Sequence, residues 1–180
     1  MTGTRAAVAM AILIALGGAA FLFLSHTAKS DVSPTPISGP AFTGALTNEY
    51  RNDTYHFSLS MPANFSAKVI PAVEGSAETI LLENAAGEGI QISMTPHASD
   101  ARTLTTDDIR EALPDLAIEN PEPLNIGTDY RGVAFLSDNA AFDGASREVW
   151  FYFRGTLYQI STYARLDGLL KAMFATWKFL

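Results

Sequence analysis

The chain has no cysteine, which excludes disulfide bridges, thiolate catalysis, cysteine-ligated zinc and a lipid-modified N-terminal cysteine together. The fold must stand on its core. Basic residues are few and scattered singly: setting aside Arg5 leaves 11 Lys and Arg against 19 Asp and Glu, a charge of −8 on the remainder. Phosphate contact needs clustered Lys and Arg, so this pattern argues against nucleic-acid binding. Histidine is scarce as well, with only His26, His56 and His97 present. There is no H-E-x-x-H and no histidine pair at helical spacing, and Gly144-Ala145-Ser146-Arg147-Glu148 fails the G-x-S-x-G pattern. Gly87-Glu88-Gly89 lies between two apolar runs, whereas a phosphate loop opens a helix. No metal site and no cofactor are expected.

What is present is a strong N-terminal signal. Ala6 to Leu24 is an uncharged apolar run, long enough as a helix to cross roughly 28 Å of a hydrocarbon core about 30 Å thick. The exit Ser25-His26-Thr27-Ala28 puts a histidine where a signal-peptide cleavage site wants a small residue, which favours a retained anchor. Residues 1–5 then form a cytoplasmic lead and residues 6–24 a transmembrane anchor whose partner is the lipid bilayer. Arg5 and the amino terminus ahead of the span place the globular part outside the cytoplasm. Residues 25–48, rich in Pro, Ser, Thr and Gly, read as a linker, and residues 49–180 as one globular domain.

Within that domain, Ser146 to Arg154 alternates with strand period: Arg147, Val149, Phe151 and Phe153 on one face, Glu148, Trp150, Tyr152 and Arg154 on the other. A strand apolar on both faces belongs in the middle of a sheet covered on both sides. Arg154-Gly155 makes a tight turn into a second strand, Thr156 to Tyr163. Asp167 is expected to cap a closing helix whose apolar stripe is Leu169, Leu170, Met173, Phe174 and Trp177. Upstream, Tyr55 to Met61, Phe65 to Val69, Thr79 to Glu83 and Ile90 to Met94 form short runs separated by turn residues around Pro62, Glu74-Gly75-Ser76 and Gly87. Their hairpin spacing predicts an antiparallel meander. Thr105 with Asp108 resembles a capping box, opening a mid-chain helix with Ile109, Leu113 and Leu116 on its apolar side and Pro114 at its end. Pro121 to Pro123 reads as a break before further strands at Leu124 to Ile126 and Gly132 to Ser137. The fold class is therefore α+β, an antiparallel sheet of about six to eight strands with a mid-chain and a C-terminal helix packed on it.

The opening Tyr55-x-Phe57-Ser58-Leu59-Ser60-Met61-Pro62-x-x-Phe65, the successive hairpins, the single mid-chain helix and a closing strand-then-helix ending in Trp177 resemble the Mog/PsbP-like family over residues 50–180. The resemblance implies an antiparallel sheet with helices on its faces. It also implies a non-enzymatic accessory or partner-binding role, as in the groups that assist photosystem II or bind a small nuclear GTPase. The anchor and linker bring the chain closest to membrane-tethered bacterial members of that fold.

Three constellations remain. His97 with Ser99, Asp100 and Arg102 allows a Ser/His/Asp arrangement on paper, but sequence adjacency is not triad geometry. Asp107, Asp108 and Glu111 sit at a helix start, where the dipole explains them, and Asp138-Asn139 with Asp143-Gly144 reads as a turn. The aromatic set Trp150, Tyr152, Tyr158 and Tyr163 is either core or a binding surface for a ligand or a protein partner. The expected function is a membrane-tethered, extracytoplasmic, non-catalytic binding or accessory module. The alternatives are a small-ligand binder with a pocket between sheet and helix, lined by some of Trp150, Tyr152 and Tyr158, or a hydrolase using His97 or a carboxylate pair.

Overall fold

The computed structural model describes residues 40–73 and 77–180. The apolar run 6–24, His26 and the loop Glu74-Gly75-Ser76 lie outside the described residues. In chain order the strands are β1 (Leu46–Asn52), β2 (Phe57–Pro62), β3 (Ser66–Ile70), β4 (Glu78–Glu83) and β5 (Gly89–Pro96). Helix α1 (Thr106–Ala112) separates them from β6 (Glu119–Ile126), β7 (Tyr130–Ser137), β8 (Ser146–Phe153) and β9 (Thr156–Tyr163). Helix α2 (Asp167–Phe174) and β10 (Lys178–Phe179) close the chain.

Seven strands form one antiparallel sheet in the order β3-β4-β5-β9-β8-β7-β6, and three form a second in the order β1-β2-β10. The large sheet is covered on both faces. On one side, the three-stranded sheet and α2 enclose a core of Phe57, Leu59, Ile80, Ile92, Phe151, Tyr158, Leu170 and Met173. On the other, α1 and the chain before it press Leu104 and Ile109 onto Val133, Phe135, Trp150, Tyr152 and Leu157. β8 is buried along its length except at Phe153, because its period of two sends Val149 and Phe151 into the first core and Trp150 and Tyr152 into the second.

Local chemistry explains most boundaries. Arg154 and Gly155 both take positive φ, 46° and 72°, the conformation a two-residue hairpin requires. Thr105 caps α1 as expected: its side chain accepts from the Asp108 backbone N–H while the Asp108 carboxylate accepts from that of Thr105 at 2.8 Å. The helix ends at Ala112, before Pro114.

Several expectations are corrected. β2 does not join β3 in a meander; it pairs with β1 and β10 in the second sheet. β1 starts at Leu46, inside the stretch read as linker, because Phe42 and Leu46 find apolar partners in the core. β3 is an edge strand exposed along its whole length, so the Phe65 to Val69 alternation buries only Phe65. Pro121 and Pro123 do not break the chain but lie inside β6, the other edge, where a register irregularity between Glu119 and Glu122 accommodates residues that cannot donate to a ladder.

Asp167 does not cap α2. It is the first helical residue, and Leu166 occupies the cap position without a side-chain bond. The Asp167 carboxylate instead meets Arg147 and Lys171: Arg147 Nε lies 3.1 Å from Oδ1, and Lys171 Nζ 2.7 Å from Oδ2. Arg147 also reaches Glu122 at 3.1 Å. The Nε approach is an ion pair rather than an aligned hydrogen bond, since Oδ1 accepts none among the described residues. Trp177 lies past the helix end, stacked on Phe57 at 4.3 Å, and Lys178–Phe179 then adds to β2.

The Arg147–Asp167 pair docks α2 on the sheet with both side chains 6% exposed. Removing one partner of such a pair strands a buried charge, whereas replacing both with apolar side chains is often neutral. Asp167→Leu should therefore cost about 3–5 kcal/mol in urea unfolding, and Arg147→Met with Asp167→Leu should recover most of it. A single-variant cost below about 1 kcal/mol would show that the pair does not hold α2.

Candidate functional site

The four aromatics picked out by composition do not share one surface. Trp150 and Tyr152 point to the α1 side of the sheet and Tyr158 to the other, as their register fixes: Trp150 opposes Gln159 and Phe151 opposes Tyr158. Trp150, Tyr152 and Tyr158 are buried at 6%, 5% and 2% exposure, leaving only Tyr163 half-buried. Tyr163 packs edge-on against Phe142 and carries the Arg165 guanidinium 4.1 Å over its ring. Tyr158 donates to the Tyr55 carbonyl at 3.2 Å, and burial drives its hydroxyl well above the ordinary tyrosine range.

His97 stacks on Tyr152, ring centres 4.5 Å apart, and its backbone N–H bonds the Gly155 carbonyl at 2.7 Å. His56 is exposed in the β1–β2 turn with φ of 53°. Among the described residues no three His, Asp or Glu side chains come together as a metal site. Asn139 is a cap: its side-chain oxygen accepts from the Ala141 N–H and starts a single 3-10 turn over Ala140–Phe142, and Asp143 and Gly144 both take positive φ as that turn ends.

The state of Glu148 has no signature in the sequence. This carboxylate is 3% exposed and meets no cation among the described residues. It accepts from the Ser146 hydroxyl at 2.6 Å, the Ser161 hydroxyl at 2.5 Å, the Trp150 indole N–H at 3.1 Å and the Asn139 amide. Desolvation pushes its pKa up, and those four donors pull the other way without cancelling it. Each donor comes from a position that looks unremarkable alone; cross-strand pairing of Glu148 with Ser161 brings them together.

A concave feature of the surface lies elsewhere, between the β6–β7 turn, the β8–β9 turn and the C-terminal segment. It is a cavity of about 570 Å³ lined by Ile126, Tyr130, Phe153, Phe174, Trp177 and Phe179 among others, with Asn125, Thr128, Asp129 and Arg154 as its polar lining. None of the four aromatics singled out from sequence lines it. A pocket between sheet and helix was foreseen, but its walls come from strand ends and from the chain after α2. Phe153 and Phe179 stack at 3.5 Å, and Tyr130 tilts against Phe153 at 4.8 Å. Arg131 fixes the rim by donating to the carbonyls of Thr128 at 3.3 Å and Tyr130 at 2.9 Å. Both volume and lining suit a small organic molecule.

The buried Glu148 makes a pH prediction. Its folded-state pKa is raised, so its contribution to stability is fully present below the unfolded carboxylate pKa and is lost as pH rises through the folded value. Glu148→Gln keeps the shape without the charge. The wild type should lose stability relative to this variant as pH rises from about 4 toward neutrality, measured as the difference between their urea-unfolding free energies. A difference independent of pH would mean that burial does not shift Glu148 between the folded and unfolded states.

No protein-family model and no curated protein matches the chain. Among solved structures it is similar to the solution structure of cyanobacterial PsbP (CyanoP) from Synechocystis sp. PCC 6803, with a TM-score of 0.50 and 10% sequence identity, over 81% of this chain and 100% of that one. At that identity the likeness is one of fold, and it shows the PsbP-like resemblance read from the opening strand, the hairpins and the closing segment.

Proposed function

We propose that the chain is a non-catalytic binding or accessory module, tethered to a lipid bilayer through residues 6–24 and carrying its α+β domain outside the cytoplasm. The observation that carries this reading is the aromatic-walled cavity between the β6–β7 turn and the C-terminal segment. The PsbP-like fold supports an accessory role, and the buried acids support the absence of chemistry. Glu148 and Asp167 are 3% and 4% exposed and already bonded within the fold, so neither presents a carboxylate to a substrate. His97 is stacked on Tyr152.

The volume of the cavity favours the small-ligand version of this reading over a flat protein–protein contact, because it falls within the roughly 300–1,000 Å³ of small-molecule sites. Close packing at Gly168, where a Cβ would lie 2.1 Å from the Pro40 carbonyl oxygen, supports a tether arriving away from the cavity. The chain arriving from the linker thus meets the first turn of α2, while Phe174 and Trp177, at and beyond the other end of that helix, line the cavity.

Membrane fractionation of the full-length chain, with protease added to intact cells and the recovered product weighed by mass spectrometry, tests the tether. The expected result is intact protein in the membrane fraction whose domain is cleaved from outside. Soluble full-length protein, or a domain protected in intact cells, would overturn the tethered extracytoplasmic reading.

A further inference from the structure

Charge is distributed unevenly in this acidic domain. Residues 40–180 carry Lys and Arg at only ten positions, and three of them gather around the cavity. Arg154 lines it and stands 5.1 Å over the Phe153 ring. Arg131 is bonded to the carbonyls of two lining residues, Thr128 and Tyr130. The Arg102 guanidinium lies 5.8 Å from the Tyr130 ring. All three are exposed, and Asp129 is the one carboxylate in the lining.

A positive rim on a net-negative molecule focuses anions toward the cavity, and the low-dielectric aromatic walls beneath it strengthen that field. A cationic guest, the usual occupant of an aromatic-walled site, would find a guanidinium already over Phe153. A purely polar anion would leave the Phe153, Phe174, Trp177 and Phe179 walls uncovered. We infer that the cavity binds an anionic amphiphile, a molecule with an apolar or ring-bearing body seated among the aromatics and a carboxylate, sulfate or phosphate held at the rim by Arg154. This rests on the binding reading above and adds the chemical class of the ligand.

Two probes that share one aromatic body separate the class from the binding itself: anilinonaphthalene sulfonate, which is anionic, and N-phenylnaphthylamine, which is neutral. Binding is measured on the full chain in lipid nanodiscs by energy transfer from tryptophan, with empty nanodiscs as reference. The variants are Arg154→Asn, which discharges the rim with a residue that tolerates the positive φ at position 154, and Asn125→Trp, which fills the mouth. Each is used once its cooperative melt matches the wild type.

The sulfonate should bind about tenfold tighter than the neutral probe, a gap of about 1.4 kcal/mol. The rim variant should abolish that preference without weakening the neutral probe, and Asn125→Trp should weaken both. Equal affinity for the two probes, or a preference that survives discharge of the rim, overturns the anionic class while the cavity remains a binding site. If neither probe binds, or Asn125→Trp changes nothing, the cavity is not the site and the binding reading fails with it.

Discussion

The fold turns on one strand having no exposed side. Because successive side chains of β8 point to opposite faces, Arg147 and Glu148, adjacent and oppositely charged, cannot meet each other. Both are buried, at 5% and 3% exposure, and each needs its own solution on its own side of the sheet. The two solutions differ because the two groups differ. A guanidinium stays charged in a protein, so Arg147 requires carboxylates, and it has Asp167 and Glu122. A carboxylate can take a proton instead, and Glu148 sits among neutral donors that suit either form, two of them rotatable hydroxyls.

The placement of α2 follows from the first solution, and the cavity follows from α2. With its start tied to Arg147, the helix lays Leu169, Leu170 and Met173 on the core and delivers the chain to Trp177. That residue stacks on Phe57, and Phe179 stacks on Phe153, which draws Lys178–Phe179 alongside β2. The returning chain covers the middle of the sheet but stops short of the β6–β7 turn, whose tip at Gly127, with φ of 61°, stands away from it. The cavity is the gap between a rigid hairpin end and a terminal segment held elsewhere.

What the sequence made legible were features decided within a few residues. The two faces of β8, the Arg154-Gly155 turn, the capping box at Thr105 and the end of α1 before Pro114 all depend on local periodicity or backbone preference, and each is found as read. What was missed depends on partners far along the chain. Asp167 looks like a cap because Asp commonly is one; that its carboxylate would be needed by Arg147, on a different strand, has no local signature. Trp177 keeps helical spacing with Met173 and Phe174, yet stacking on Phe57 lies across more than a hundred residues of sequence. The walls of the cavity come from three separate segments, and the conspicuous aromatics of the hairpin were claimed by the two cores, as large side chains on a central strand usually are.

The edges of the large sheet bear on how such a domain can bind. An unpaired edge is a template for a partner strand, and this sheet has two. β6 is blocked as an acceptor by Pro121 and Pro123, by the irregular register between Glu119 and Glu122 and by Asn120 at φ of 47°. β3 offers five residues only, with Lys68 at their centre and Pro71 directly after. Short length, a lysine and a proline are the usual guards of an edge. With strand addition disfavoured at both ends and both faces covered over the central strands, recognition falls to the concavity between the β6–β7 turn and the C-terminal segment. There the aromatic walls supply affinity, and the surrounding arginines decide the sign of charge admitted.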